Sequence, residues 1–258
     1  MELTILTYVV TFLTSIGVST FAMVSGGEGA IIFTPFFIGL GLEPAQAIAT
    51  AFLTQLFGKT SGTVGYHFKK EGHIQWNIVL VLVLIGAPLV ILGSYLTYAL
   101  SSTFLKLLFG ILIIALALLM VYSLKKRDSD RTFVKNHELV KWSFVPAIAG
   151  FLTGIFSIGA GTINMVLLER VFKLKIIKTV ATVVATMAIT ALFGSIVHAY
   201  YGIKWDIIPF TVCGVLIGGQ IGPYIANQLD KSQKSHFIKI LFIILTLVVG
   251  SMMIISSL

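Results

Sequence analysis

The sequence contains a single cysteine and few charged residues. Of its 258 residues only 11% are charged, whereas 57% are hydrophobic, and the mean hydropathy is +1.00. This balance excludes an ordinary soluble domain. The lone Cys213 excludes an intramolecular disulfide and a cysteine-based metal cluster.

Enzyme and nucleotide-binding motifs are also missing from the sequence. It holds no HExxH, no GxSxG and no GxxxxGK[ST], although Gly58-Lys59-Thr60 resembles the end of the last motif. We therefore expect neither an enzyme nor a nucleotide-driven pump, and we expect no cofactor or metal. The N-terminus has Glu2 and no basic stretch, so a cleaved signal peptide is not expected.

Long uncharged runs make up most of the sequence. They occupy residues 3–27, 74–105, 107–124, 142–168, 179–203, 207–229 and 240–258. Crossing a hydrocarbon layer of about 30 Å takes about 20 helical residues. The sequence thus predicts an all-α polytopic membrane protein, in contact with the lipid bilayer. The net charge of +8 fits basic cytoplasmic loops and does not require nucleic acid as a partner.

The two halves of the chain share an order of features. A first glycine loop (residues 25–30) recurs as a second glycine loop (residues 157–162), with Gly27 and Gly29 falling on Gly159 and Gly161, 132 residues later. Further on, Trp76 matches Trp205 at an offset of 129. We interpret this as a duplication: repeat 1 (1–124), a cytoplasmic linker (125–141) and repeat 2 (142–258).

The segment after the first glycine loop is too short to cross a membrane. Ala30–Leu40 has eleven residues, or roughly 16 Å as a helix. We therefore predict one re-entrant helical hairpin and three transmembrane helices in each repeat, an odd number that inverts the two repeats. With the basic linker inside, 15 of the 18 Lys and Arg residues are cytoplasmic, the exceptions being Lys59, Lys106 and Lys204. The alternative lets Leu3 to Ser25 span fully, which gives four crossings in each of two parallel repeats.

Hairpins that enter from opposite faces would bring both glycine loops towards the middle of the membrane. Each loop leads into a helix N-terminus, where free amides and the helix dipole favour an anion, and glycine lets the backbone approach it. The alternative is that these glycines serve only close helix packing, as we expect for Gly214, Gly218 and Gly222.

Two ionisable residues, Glu28 and Lys59, fall well inside the predicted membrane region. Charges there cost at least about 2.5–3.5 kcal/mol, so such residues usually pair or face a cavity. Three interpretations remain open: a structural ion pair, an anion-binding Lys59 with Glu28 carrying a coupling proton, or a Lys59 that snorkels to the cytoplasmic edge. An ionised carboxylate at a helix N-terminus repels an anion, so protonation of Glu28 would gate anion binding.

Hydroxyl, amide and glycine positions near the loops complete the candidate site. With Glu28 as the proton-coupling residue, the predicted substrate-binding residues are Gly26, Gly27, Gly29, Lys59, Thr60, Ser61, Ser157, Gly159, Gly161, Thr162 and Asn164. Gln55 and Thr50 are secondary candidates. Structural roles are expected for His67 and His198, and a charge pair at the cytoplasmic edge for Glu169 and Arg170.

With both loops in view, the chain resembles the TauE/SafE sulfite exporter family of membrane permeases. The matching features, in order, are Gly26-Gly27-x-Gly29 with Pro35, Ala49-Thr50, His67 to Trp76, Gly86 and Gly93, then Gly159-x-Gly161, Ala181-Thr182, His198-x-x-x-Gly202-x-x-Trp205 and Gly218-Gly219-x-x-Gly222. The resemblance implies a plasma-membrane permease that is driven by ion gradients and moves sulfite, an organosulfonate or a related small sulfur-containing anion.

One residue departs from the family pattern. Glu28 stands where a glycine or small residue is usual, which supports proton coupling or a different substrate. More distant thiosulfate-uptake relatives use several cysteines, and the lone Cys213 argues against that mechanism. We predict a proton-linked secondary transporter working by alternating access, with a passive anion channel or a non-transporting membrane scaffold as alternatives. Substrate, direction and homo-oligomer formation stay open.

Overall fold

The computed structural model describes residues 5–68, 73–124, 131–231 and 235–256. Every regular secondary-structure element in these ranges is a helix, and a single isolated β-bridge joins Arg131 to Leu174. The α-helices are α1 (Ile5–Ser25), α2 (Ala30–Gly39), α3 (Pro44–His67), α4 (Trp76–Thr97), α5 (Ser102–Ser123), α6 (Asn136–Val140), α7 (Phe144–Phe156), α8 (Ala160–Val166), α9 (Ile176–Tyr201), α10 (Ile208–Lys231) and α11 (Ser235–Ile255). The predicted all-α class is confirmed.

Within the described ranges, five helical segments are both long and apolar enough to cross a membrane. They are Ile5–Ser25, Trp76–Thr97, Ser102–Ser123, Ile176–Tyr200 and Trp205–Leu229. Helix α3 has 24 residues but carries several buried polar side chains, among them Gln55 and Lys59, so its sequence is less apolar. It is packed against α2, α9 and α10, which cover its polar side. The predicted multi-pass membrane organisation is confirmed.

The chain reverses direction at both glycine loops. Helix α1 ends at Ser25 and α2 begins at Ala30, while α7 ends at Phe156 and α8 begins at Ala160. The reversals use left-handed backbone, with φ of +69° at Gly26 and +129° at Gly159. Glycine adopts such angles without steric cost.

One end of the bundle collects the starts of α1, α3, α5 and α10. Tyr8 near the start of α1 stacks on Phe210 near the start of α10, with ring centroids 4.4 Å apart. Ser102 Oγ donates to Glu43 Oε2 at 2.9 Å, which joins the start of α5 to the residue before α3. Since α2 leads directly to Glu43, the α1–α2 hairpin begins and ends at this end of the bundle.

The opposite end holds the linker. The Arg131 amide donates to the Lys173 carbonyl oxygen, and the Lys175 amide donates to the Arg131 carbonyl oxygen, both at 3.1 Å. Asn77 Nδ2 at the start of α4 donates to the Val134 carbonyl oxygen at 2.9 Å. The α7–α8 hairpin follows this linker and returns to Leu174, so it enters from the end opposite to the first hairpin. Residues 125–130 of the predicted linker, and Lys69 and Lys70, lie outside the described residues.

The first helix of each half packs against a helix of the other half. Helix α1 lies along α10, and α7 lies along α4. A Cβ atom at Gly218 would lie 2.5 Å from the Ile16 carbonyl oxygen, and one at Gly154 would lie 2.2 Å from the Val90 carbonyl oxygen. Small residues at these crossings permit the close backbone approach typical of membrane helix pairs, as predicted for Gly214, Gly218 and Gly222. Every residue of both glycine loops is buried in the resulting bundle.

Candidate functional site

The carboxylate of Glu28 joins the two hairpins. Glu28 lies in the first glycine loop and is fully buried. Its Oε2 accepts a hydrogen bond from the Gly159 amide at 2.6 Å, and its Oε1 accepts one from the Gly161 amide. A Cβ atom at Gly161 would lie 2.6 Å from Glu28 Cγ, so only glycine leaves room for the side chain there. The amides predicted to bind an anion therefore hold the anionic group of Glu28.

The local fold of the second glycine loop explains why these amides are available. The first amides of a helix have no acceptor within it, and a negative group near them is favoured by the helix dipole. Ser157 (φ +62°) and Gly159 (φ +129°) turn the chain so that alternate amides point in different directions. The intervening Ala160 amide donates to Thr153 Oγ1 at 2.6 Å. Gly159 and Gly161 are left to face Glu28.

Lys59 supplies the positive charge of the site. It lies in α3, is 1% exposed, and its Nζ donates to the Gly27 carbonyl oxygen at 2.9 Å. Gly27 directly precedes Glu28, so the Lys59 ammonium contacts the loop that carries the carboxylate. The burial of Lys59 shows that the snorkelling interpretation was wrong, since a snorkelling side chain places its charge in water.

Two small cavities meet at α3, and Gln55 and Lys59 line both of them. The other lining residues of the first cavity include Gly29 and Phe33, and those of the second include Thr153 and Ser157. Each cavity has space for about one water molecule. In this conformation neither cavity has room for an anion larger than water, so such an anion binds there only if side chains move.

Comparison with known proteins identifies the family. The family model described as "Sulfite exporter TauE/SafE" matches residues 11–253. The chain belongs to the TauE/SafE sulfite exporter family. It is therefore a multi-pass membrane transporter of the TauE/SafE type, and the family resemblance read from the sequence is confirmed.

The relatives of this TauE/SafE protein are described as transporters. The chain is 26% identical over 227 residues to "Probable membrane transporter protein ORF9" of Sinorhizobium sp, and the match covers 86% of this chain and 82% of that protein. It is 23% identical over 247 residues to "Probable membrane transporter protein YunE" of Bacillus subtilis (strain 168), covering 86% and 89%. A "Probable membrane transporter protein" of Haemophilus influenzae is 24% identical over 219 residues, covering 83% and 84%. No solved structure matches the chain.

Several other predicted site residues of this TauE/SafE protein lie where the hairpins meet. A Cβ atom at Gly26 would lie 2.5 Å from Met165 Sδ, and one at Gly27 would lie 2.4 Å from the Phe242 ring, so both glycines are in tight contact with other elements. Thr162 and Asn164 are buried in α8. Among the described residues, Thr162 Oγ1 and Asn164 Oδ1 have no hydrogen-bond partner.

Two predicted site residues are not brought to the loops. Thr60 is exposed on the outer side of α3. Ser61 faces α10, where its Oγ donates to the Leu216 carbonyl oxygen at 2.7 Å and accepts from Gln220 Nε2 at 3.0 Å. Their positions favour lipid contact for Thr60 and helix packing for Ser61.

Sequence reasoning missed Thr153 and ranked Gln55 too low. Both hold the second glycine loop: Thr153 accepts from the Ala160 amide, and Gln55 Nε2 donates to Ser157. The sequence does contain a signal that could have identified Thr153. It lies four residues, or about one helical turn, before Ser157, where the second glycine loop begins. Both ring nitrogens of His198 are hydrogen-bonded: its Nε2 donates to the Gly154 carbonyl oxygen at 3.3 Å, and its Nδ1 accepts from the Tyr98 hydroxyl at 2.7 Å.

Proposed function

We propose that this TauE/SafE protein is a proton-linked secondary transporter of sulfite, an organosulfonate or a related small sulfur-containing anion. The observation that carries the proposal is the Glu28 carboxylate, held by the Gly159 and Gly161 amides close to Lys59. A carboxylate and a sulfur oxyanion both offer a pair of negatively charged oxygens. Amides that bind the first group can therefore bind the second.

In this proposal Glu28 is a built-in occupant of the substrate site. The Gly159 and Gly161 amides cannot donate hydrogen bonds to the Glu28 carboxylate and to a free anion at the same time. Protonation removes the charge of Glu28 and weakens its hydrogen bonds, since bonds to ionised acceptors are about twice as strong as neutral ones. The protonated side chain then leaves Gly159 and Gly161 to the substrate, and one proton accompanies each anion.

Charge balance supports the same sequence of events. With Glu28 ionised and Lys59 protonated, the net charge of the buried site is zero. With Glu28 protonated and a monoanion bound, the net charge is again zero. Uncompensated charges are costly in a membrane interior, so these two states are the favourable ones, and anion binding without protonation is not.

The hairpins suggest how the site changes access. We propose that the two halves are inverted repeats and that one moves against the other, as in other transporters with broken helices. Glu28 belongs to the first hairpin and its amides to the second, so relative movement of the repeats would separate them. The small size of the cavities around Gln55 and Lys59 fits a state in which no substrate is bound between the repeats.

Transport by the purified protein in liposomes tests the proposal. We expect saturable sulfite uptake that accelerates when the pH gradient drives protons in the same direction. The variant Glu28→Gln, which is always uncharged, should exchange anions without responding to the gradient. Glu138→Gln is the matched control, because Glu138 pairs with Arg131 in the linker and should leave the gradient response unchanged.

Each alternative has its own outcome in this assay. Uptake that does not saturate indicates a passive channel. Absence of flux for sulfite and for every sulfonate in a panel indicates a non-transporting scaffold. Saturable uptake that ignores the pH gradient in the parent protein contradicts proton coupling but leaves anion transport in place.

A further inference from the structure

Gln55 lies one helical turn before Lys59 on α3, and its amide orientation is fixed by its neighbours. Gln55 Nε2 lies 2.9 Å from both the Ser157 carbonyl oxygen and Ser157 Oγ. A carbonyl oxygen can only accept, so the group that faces Ser157 must be the NH2 group. The carbonyl oxygen Oε1 of Gln55 must then point away from Ser157.

That oxygen is an acceptor with no donor. The Gln55 side chain is 5% exposed, and within the described part of the chain no group donates to its Oε1. Buried acceptors in native proteins nearly always have a partner, because leaving one unpaired is costly. Gln55 and Lys59 line both small cavities, so a molecule that occupies them can supply the missing donor.

We propose that Gln55 selects the substrate by accepting a hydrogen bond from an O–H or N–H group that the bound anion carries. This inference rests on the proposed transport function and narrows its substrate class. Lys59 provides one positive charge for the anionic oxygens, and Gln55 Oε1 provides one acceptor beside it. The substrate is then a monoanion with a donor group, such as hydrogensulfite or a sulfonate with a hydroxyl or amino group. A fully deprotonated dianion satisfies neither condition.

Two sulfonates of nearly equal size separate this class from other anions. Isethionate (2-hydroxyethanesulfonate) and 1-propanesulfonate are both monoanions, and they differ only by a hydroxyl in place of a methyl group. The dissociation constants of both are measured by calorimetry on the detergent-purified protein. We expect the parent to bind isethionate about 10- to 100-fold more tightly, because 1-propanesulfonate leaves the buried acceptor unpaired.

Two variants attribute the preference to Gln55. Gln55→Met keeps the length of the side chain and removes the acceptor, so the two sulfonates should bind within about twofold of each other. Gln55→Leu repeats the test if the first variant does not fold. Gln220→Met is the matched control, since it makes the same change on α10 at a residue that lines neither cavity, and its preference for isethionate should remain.

The outcomes separate this inference from the function on which it rests. If neither sulfonate nor hydrogensulfite binds the parent, the proposed anion transport fails. If the parent binds both sulfonates equally, anion binding stands, Oε1 is satisfied by water, and the selection by Gln55 is overturned. A preference that survives in Gln55→Met or Gln55→Leu overturns it as well.

Discussion

Replacement of Glu28 by alanine should make the protein less stable and, at the same time, a better anion binder. The substitution removes two hydrogen bonds to an ionised carboxylate, each contributing about 1.5–3 kcal/mol, and leaves Lys59 without its counter-charge. Breaking a buried charge arrangement by removing one partner costs about 3–5 kcal/mol. We expect a loss of about 3–5 kcal/mol in the free energy of unfolding of the ligand-free protein.

The gain in affinity follows from the same contacts. In the parent protein an anion must first displace Glu28 from Gly159 and Gly161, whereas Glu28→Ala leaves these amides open. If displacement costs about 3 kcal/mol, the variant should bind sulfite about 100-fold more tightly. Acetate has the size of the removed group, CH2COO−, and should restore stability to the variant while leaving the parent unchanged.

The assay is thermal unfolding of the detergent-purified proteins across a range of sulfite and acetate concentrations. A ligand that binds only the folded state at 100 times its dissociation constant adds about 2.7 kcal/mol, which shifts the unfolding midpoint visibly. Glu138→Ala serves as control and should respond to sulfite and acetate as the parent does. If Glu28→Ala is destabilised but neither anion restores it, the carboxylate has a structural role only, and the competition between Glu28 and substrate is refuted.

Further substitutions test separate contacts. Gly161→Ala places a Cβ atom 2.6 Å from Glu28 Cγ and should destabilise the parent by about 1–3 kcal/mol but cost less in a Glu28→Ala background. Gly154→Ala forces α7 away from α4 and should cost about 3 kcal/mol in thermal unfolding, with no change in the anion preference of the protein that folds. Lys59→Met should abolish sulfite binding, and its destabilisation should be smaller when combined with Glu28→Gln, as a double-mutant cycle would measure. A hydrogen bond from Arg131 holds the pKa of Glu138 below its usual range, so its stabilising contribution is present at neutral pH and lost as the pH falls through that lowered pKa; Glu138→Gln should flatten this acid loss of stability.

The helices could be predicted well because membrane insertion constrains both length and composition. The uncharged runs at 74–105 and 179–203 predicted membrane helices, and the structure has α4 at Trp76–Thr97 and α9 at Ile176–Tyr201. The linker was predicted only as a polar connection. Its short helix α6 and its backbone pairing at Arg131 depend on contacts with α4 and with Lys173 to Lys175, which a local pattern does not contain.

The sequence located the main residues of the candidate site but did not predict the hydrogen bonds between them. Both glycine loops and both charged residues were found, because charge and chain breaks inside apolar runs are rare. Lys59 and Thr60 are neighbours in sequence but lie about 100° apart around α3, so one is buried and the other exposed. Which face of α3 points inward is decided by α2, α9 and α10. The Glu28 carboxylate accepts from the Gly159 and Gly161 amides, which lie 131 and 133 positions later in the sequence, and a local pattern cannot predict such distant contacts.

The two halves are unequal at the point that matters for the proposed mechanism. At the offset that aligns the glycine loops, Glu28 corresponds to Ala160, and at either offset Lys59 corresponds to an alanine, Ala191 or Ala188. Both charges therefore come from the first half, while the amides that hold the carboxylate come from the second. A symmetric pair of loops would offer two equivalent anion sites, but a single carboxylate and a single ammonium make one site that spans both halves. Any movement of one half against the other must break or form the bonds of Glu28. In the proposed transporter, protonation and the change of access are therefore linked at the same contact.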